Sequence, residues 1–260
     1  MTNTEHRSTS RVLDILELLA QKRSGYTMAE ISRYLDAPKS SLFPILHTME
    51  DRGFLRLDTA AQRYCIGQQA FLTGSAYEST RPVYDYISGL MEGIVKECQE
   101  TCHLGILTGS SILYIAKKES PNPIMLRSHI GQRLPAYCTG IGKALLSGHS
   151  RAEISAMYPG PWERYTEHTL PDTESLIREL EETRKTGFAY ERAELTEDIC
   201  CIAVPLCCQD KVIAALSVCI PQFRATNQIL AQIRDLLARS RSDAEHYFEE
   251  FHIYDSSYLF

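Results

Sequence analysis

The feature that most constrains the fold lies within residues 10–66, where three one-faced apolar patterns and a hairpin signal follow one another. Val12, Ile15, Leu16 and Leu19 recur at i, i+3, i+4 and i+7, the period of a helix with one buried stripe, running from Ser10 to near Gly25. A short second helix follows: Thr27 and Glu30 have capping-box spacing, Ile31 and Leu35 supply an inner face, and Asp36-Ala37-Pro38 makes a tight turn. From Lys39 a third helix turns Leu42, Leu46 and Met49 inward and leaves Ser40, Ser41, Phe43 and His47 outside. Two short helices across so tight a turn form a helix-turn-helix, whose second member fits a DNA major groove. Beyond Gly53, the runs 54–57 and 63–66 flank 58–62 as a hairpin or wing, with Arg63 placed near a phosphate.

One residue conflicts with this pattern. Pro44 sits past the first turn of the third helix, where it removes a donor and crowds the carbonyl four residues earlier, at a cost of about 3 kcal/mol in a regular helix. The sequence therefore predicts a kinked or late-starting recognition helix.

Charge agrees with an N-terminal nucleic-acid surface. The chain carries −6 overall, yet residues 1–70 hold nine Lys/Arg against eight Asp/Glu, so the negative excess lies in the remainder. Lys39, Arg56 and Arg63 are the candidate phosphate contacts, and Ser40, Ser41 and His47 the candidates for base edges.

At 260 residues the length suits two domains, and 44% hydrophobic with 23% charged residues excludes a disordered or fibrous chain. No apolar run approaches the ~20 residues of a membrane span, and the opening MTNTEHRSTSR lacks an apolar signal core, so a cytoplasmic protein without membrane contact is expected. Nine cysteines without C-x-x-C spacing then read as reduced thiols, most of them small buried hydrophobes, and neither a metal site nor a cofactor is expected. The cluster Cys98, Cys102 and His103 and the doublets Cys200-Cys201 and Cys207-Cys208 leave a metal or thiol sensor as the alternative. An enzyme using Cys201 or Cys138 beside His103 or His168 finds no motif pairing either thiol with a base.

The rest of the chain reads as a connector helix over 68–81 carrying Phe71 and Leu72, then a larger domain. Pro82 opens a helix with Val83, Ile87, Leu90 and Ile94 on one face. Strands are expected at 103–107 and 112–116, joined at Thr108-Gly109-Ser110-Ser111, and at 125–128. Residues 134–147, LPAYCTGIGKALLS, form a loop feeding a helix capped by Thr139, whose unpaired N–H groups and dipole suit a small carboxylate or phosphate. Helices near 151–158 and 173–185, strands at 189–192, 200–206 and 212–219, and a helix over 227–251 complete it. The fold class is α+β: a winged helix-turn-helix followed by an antiparallel sheet with helices on its faces. Ser217 and Cys219 are two apart and share one strand face, opposite Leu216 and Val218.

The winged helix at 10–66, the GQRLPAYCTGIGKALLS stretch, the TRKTGFAYERAE segment, and CIAVP followed by AALSV together resemble the IclR family of transcriptional regulators, from about Ser10 to Phe248. The resemblance implies a DNA-binding domain over 1–67, a linker helix over 68–81, and a GAF-like domain over 82–260 that binds a small effector and oligomerises. It implies operator DNA, a small organic or aromatic acid, and further copies of the chain as partners, in dimers that often pair into tetramers. The family's ligand groups fall here on Gly140, Ile141, Glu191, Cys201, Ser217 and Cys219. Four positions depart from the family pattern: Asp198 replaces a usual glycine, Glu191 a usual aspartate, Cys219 a common serine, and Pro44 a frequent arginine.

Overall fold

Met1–Thr80 and Arg81–Phe260 form two compact units, and the computed structural model describes residues 6–22, 24–75, 82–124 and 127–259. The first unit contains α1 (Arg7–Ala20), α2 (Met28–Tyr34), α3 (Lys39–Asp51), β1 (Leu55–Asp58), β2 (Arg63–Ile66) and α4 (Gln68–Ser75). Its core gathers the residues that the helical periods select: Ile15 and Leu19 of α1, Ile31 of α2, and Leu42, Leu46 and Met49 of α3. Thr27 and Glu30 close the expected capping box, the Thr27 N–H donating to Glu30 Oε2 at 2.7 Å and the Glu30 N–H to Thr27 Oγ1 at 3.2 Å. β1 and β2 pair antiparallel with Leu55 opposite Ile66, and Tyr26 bridges to Tyr64.

Two expectations for this unit need correction. α1 begins at Arg7 and stops at Ala20, well short of Gly25. α3 does not start late: it begins at Lys39 and runs on through Pro44. The proline removes the bond to the Ser40 carbonyl, and because Ser40 is exposed, water can satisfy that oxygen. Of the connector helix expected over 68–81, α4 covers 68–75, while 76–81 lie outside the described residues.

The second unit holds α5 (Pro82–Cys98), β3 (Thr101–Thr108), β4 (Ser111–Lys118), β5 (Arg133–Pro135), α6 (Gly140–Leu146), α7 (Arg151–Met157), α8 (Thr173–Thr186), β6 (Ala189–Arg192), β7 (Ile199–Cys208), β8 (Lys211–Pro221) and α9 (Asn227–Glu250). The strands form one antiparallel sheet in the order β5-β4-β3-β8-β7-β6. Strand alternation gives this sheet two different faces. Leu104, Ile202, Val204, Leu216 and Val218 pack with Ile87 and Met91 of α5 and Leu237 of α9. The opposite face carries Ala203 and Ala215 against α6, backed by Ile154 of α7 and Leu176 and Leu180 of α8. The third strand expected at 125–128 is replaced by β5: Met125 and Leu126 lie outside the described residues, Arg127 and Ser128 are not in a strand, and Leu134 pairs with Ile112.

α6 sits against the sheet because its glycines permit it. A Cβ on Gly142 would stand 2.2 Å from the Ala136 carbonyl oxygen, so a side chain there would push the helix off its entry loop. The Thr139 hydroxyl accepts from the Gly142 N–H at 3.1 Å and caps the helix. One turn on, Lys143 is fully buried, its Nζ 2.7 Å from Glu194 Oε1 and 3.5 Å from Glu179 Oε2 of α8. Breaking a buried pair from one side leaves an uncompensated charge, which costs about 3–5 kcal/mol. Lys143→Met is therefore expected to lower unfolding free energy in urea by about that amount, and Lys143→Met with Glu194→Gln to recover much of it. A loss in the single variant as small as a surface ion pair would give, below about 1 kcal/mol, would contradict this role.

Candidate effector cavity and nucleic-acid interface

The chain's two polar constellations lie one in each unit. In the first unit, α3 presents Lys39 and Ser40 at its exposed N-terminal end, with Phe43 and His47 exposed further along. His47 Nδ1 lies 2.8 Å from Asp51 Oδ2, which leaves Nε2 for an outside partner. Arg56 projects from β1 and is exposed. Two candidates are engaged inside the unit instead. Ser41 is half-buried, donating to the Pro38 carbonyl at 2.8 Å and accepting from Arg11 Nη1 at 3.1 Å. Arg63, expected at a phosphate, donates from Nη1 to the Gly25 carbonyl at 2.8 Å and to Glu30 Oε2 at 3.1 Å. The cause is the capping box: it turns Glu30 toward the wing, where its carboxylate takes the guanidinium.

In the second unit, β7, β8, β6 and the start of α6 enclose a cavity of about 220 Å³. Gly140, Ile141, Glu191, Cys201, Ser217 and Cys219 all line it. Gly140 and Ile141 open α6, so their N–H groups have no carbonyl one turn back within the helix. Register explains the rest. Cys201 faces Cys219 across β7 and β8, Glu191 faces Cys201 across β6 and β7, and Ser217 lies two residues before Cys219 on the same face. The wall also includes Gln132 and Leu134 of the GQRLPAYCTGIGKALLS stretch, together with Tyr114, Arg127 and Ser128, which no sequence motif singles out. Behind it the His103 ring stacks on Tyr114 with centroids 4.4 Å apart, and its Nε2 lies 2.7 Å from Ser128 Oγ. Ser128 and His103 meet across 25 residues of chain, which local periodicity does not report. Asp198 is exposed, has a positive φ of 62°, and is not in the lining, so its charge stays outside the cavity.

Two features set the polar character of the cavity. Ser217 Oγ is buried without a hydrogen-bond partner among the described residues, and a buried hydroxyl left alone costs about 1–3 kcal/mol. Glu191 is buried, and that burial pushes its carboxyl from the ordinary 4.5 up to about 7, although Oε1 accepts the Glu194 N–H at 2.7 Å. Below about pH 7 it holds a proton to donate. Burial likewise drives the Tyr114 phenol well above its usual range, keeping it a donor. Cys138 does not serve as a nucleophile: burial pushes its thiol up to about 12, and its Sγ is directed at the Pro135 carbonyl. His168 is exposed beside Glu167. Among the described residues, no group of three or more His, Cys, Asp or Glu side chains is arranged to hold a metal ion.

Residues 75–244 match the family model described as bacterial transcriptional regulator IclR C-terminal, and residues 8–59 match the IclR helix-turn-helix domain. This chain belongs to the IclR family of transcriptional regulators. The HTH-type transcriptional regulator XynR of Escherichia coli K12 is 30% identical over 236 residues, covering 90% of this chain and 94% of the relative. An IclR regulator from Alicyclobacillus acidocaldarius shares the fold with a TM-score of 0.85 at 23% identity, over 94% of this chain and 99% of that one. An IclR homolog from Microbacterium hydrocarbonoxydans, solved in complex with 4-hydroxybenzoate, aligns with a TM-score of 0.75 at 20% identity, over 92% and 99% of the two chains. The family role is regulatory rather than enzymatic, with a DNA-binding domain and an effector-binding C-terminal domain. Among the described residues, no helix of this IclR member is long and apolar enough to cross a membrane.

The Glu191 environment sets a pH dependence. Its pKa is higher folded than unfolded, so its contribution to stability is fully present below about 4.5 and is lost as pH rises to about 7. Urea titrations at pH 4.5, 5.5 and 7 are expected to show wild type losing about 2–3 kcal/mol more than Glu191→Gln over that window. Parallel pH profiles for the two proteins would contradict the assignment.

Proposed function

We propose that this regulator binds operator DNA through α3 and the wing, and that a small organic or aromatic acid entering the cavity between α6 and β8 controls it from the cytoplasm. The observation that carries the ligand reading is the Ser217 hydroxyl, buried in the same cavity as Glu191, whose raised pKa keeps a proton on it well above the ordinary carboxylate range. Both can donate to a carboxylate, and Gly140 and Ile141 at the start of α6 line the same space. Arg127, exposed and part of the lining, supplies a positive charge. Apolar contact from Ile141, Leu134 and Leu195 suits an aromatic or short aliphatic body, and the relative solved with 4-hydroxybenzoate is consistent with this class.

On the DNA side, Lys39 and Arg56 are exposed cations of the candidate surface, with Ser40 and His47 approaching base edges. Ser41 and Arg63 support that surface from within the unit through their bonds to Pro38, Arg11, Gly25 and Glu30. We assign the working form as a dimer, able to pair into a tetramer. α4 supports this: Phe71 is 71% exposed and Leu72 47%, an apolar face suited to a second copy.

The test joins fluorescence anisotropy with labelled DNA from upstream of the gene to calorimetry with 4-hydroxybenzoate. Lys39→Ala and Arg56→Ala are each expected to weaken operator binding and reduce the salt slope by about 1. Ser217→Ala is expected to weaken acid binding about tenfold while leaving DNA affinity unchanged. Binding of the acid should also weaken between pH 6 and pH 8, as Glu191 loses its proton. DNA binding without sequence preference would overturn the operator reading, and equal loss of both activities in Ser217→Ala would overturn the ligand reading.

A further inference from the structure

The cavity contains a second chemistry that acid binding does not use. Cys201 and Cys219 are direct partners across the antiparallel pair β7 and β8, with the two Sγ atoms 2.8 Å apart. Directly opposed residues in such a pair have Cα atoms about 4.5–5.5 Å apart, within the range of about 4.4–6.8 Å that disulfides span. The sulfurs therefore need to close by about 0.8 Å to bond, with the strands already in place. Both thiols are free, buried in the sheet yet part of the cavity lining, so a small solute in the cavity meets them. His103 Nδ1 lies 3.8 Å from Cys219 Sγ, on the side away from Cys201 in strand order.

The two sulfurs are not equivalent. The Cys201 thiol donates toward Cys219, and together with the His103 imidazole this holds Cys219 toward the thiolate against the effect of burial. The same contact, reinforced by burial, holds Cys201 protonated. One sulfur is thus a nucleophile and its neighbour a resolving thiol. Cys98 and Cys102, by contrast, belong to the core beneath α5 on the other side of the sheet.

The geometry points to a redox site: Cys201 and Cys219 form a dithiol that a hydroperoxide oxidises to a cross-strand disulfide in the wall of the effector cavity. Cys219 sulfur attacks the terminal oxygen of the hydroperoxide, the O–O bond breaks, and the alkoxide leaves as alcohol with the proton that Cys219 gave up. Cys201 sulfur then displaces the hydroxyl from the Cys219 sulfenic acid, forming the S–S bond and releasing water that carries the Cys201 proton. The two thiols lose two electrons and the peroxide gains them. This step does not depend on which ligand the cavity takes, or on the DNA reading.

The test treats the full-length protein with hydrogen peroxide, followed by intact mass measurement and non-reducing peptide mapping. Wild type is expected to lose the mass of two hydrogens, regained with a reductant, and to yield a linked peptide pair containing Cys201 and Cys219. Cys201→Ala is expected to form no such link and instead to give a dimedone adduct on Cys219, the trapped sulfenic acid. Cys219→Ser is expected to give neither. Circular dichroism melts identify a variant that has not folded, and the wild-type map decides the question without either variant. A wild-type protein that keeps both thiols under peroxide, or a link mapping to any other pair, would overturn the proposal.

Discussion

The buried ammonium of Lys143 is the contact on which the cavity depends. It sits on the face of α6 turned away from water, and it reaches Glu194 in the loop after β6 and Glu179 on α8. Burying a charge costs several kcal/mol, so such a pair persists where its geometry is needed more than its energy. Here the geometry is a relay. Glu194 is bound by Lys143 through its side chain, its carbonyl accepts from Thr169 Oγ1 at 2.7 Å, and its N–H donates to Glu191 Oε1 at 2.7 Å. The roof helix, the β6 loop and the acidic wall of the cavity are thereby tied by one residue. An apolar contact in place of Lys143 would fill the space but would leave the loop free to turn Glu191 elsewhere.

The sheet supplies the other half of the design by using its two faces differently. Toward α5 and α9 the inner residues are leucine, isoleucine and valine. Toward α6 the same strands change from Ala203 and Ala215 to Cys201, Ser217 and Cys219, so the cavity begins where small apolar side chains give way to polar ones. Small residues are what let α6 come close, and that closeness encloses the polar ones. Enclosure raises the Glu191 pKa and isolates the Ser217 hydroxyl. The ligand chemistry thus follows from packing.

Much of this was readable from the sequence wherever the signal was local. The three helices, the capping box at Thr27 and Glu30, and the shared face of Ser217 and Cys219 follow from period and spacing. The glycines of 140–142 announced a helix start brought close to something. What escaped depends on chain-distant pairing. β5 is three residues long and is defined by its bonds to β4, so no run of its own marked it. The engagement of Arg63 by Glu30 joins residues 33 apart in sequence, and the path from Ser128 through His103 to Cys219 crosses two strands. Pro44 shows the opposite case: a strong local rule expected a kinked or late-starting helix, and α3 begins at Lys39 all the same, with Leu42, Leu46 and Met49 packed in the core.

On the proposed reading, acid binding and thiol oxidation share one space, so the two are coupled through charge. A carboxylate held near Ser217 and Glu191 places a negative charge beside Cys219, the sulfur that His103 and Cys201 hold toward the thiolate. Like charges close together in an enclosed site repel, so on this reading bound acid shifts Cys219 back toward the thiol and slows its attack on peroxide. By linkage the thiolate weakens acid binding by the same free energy. The disulfide removes that charge but also removes two weak hydrogen-bonding groups from beneath the ligand. Serine in place of Cys219 would keep a hydrogen bond for the acid and lose the second input. The cysteine at this position therefore decides whether the cavity reads one signal or two.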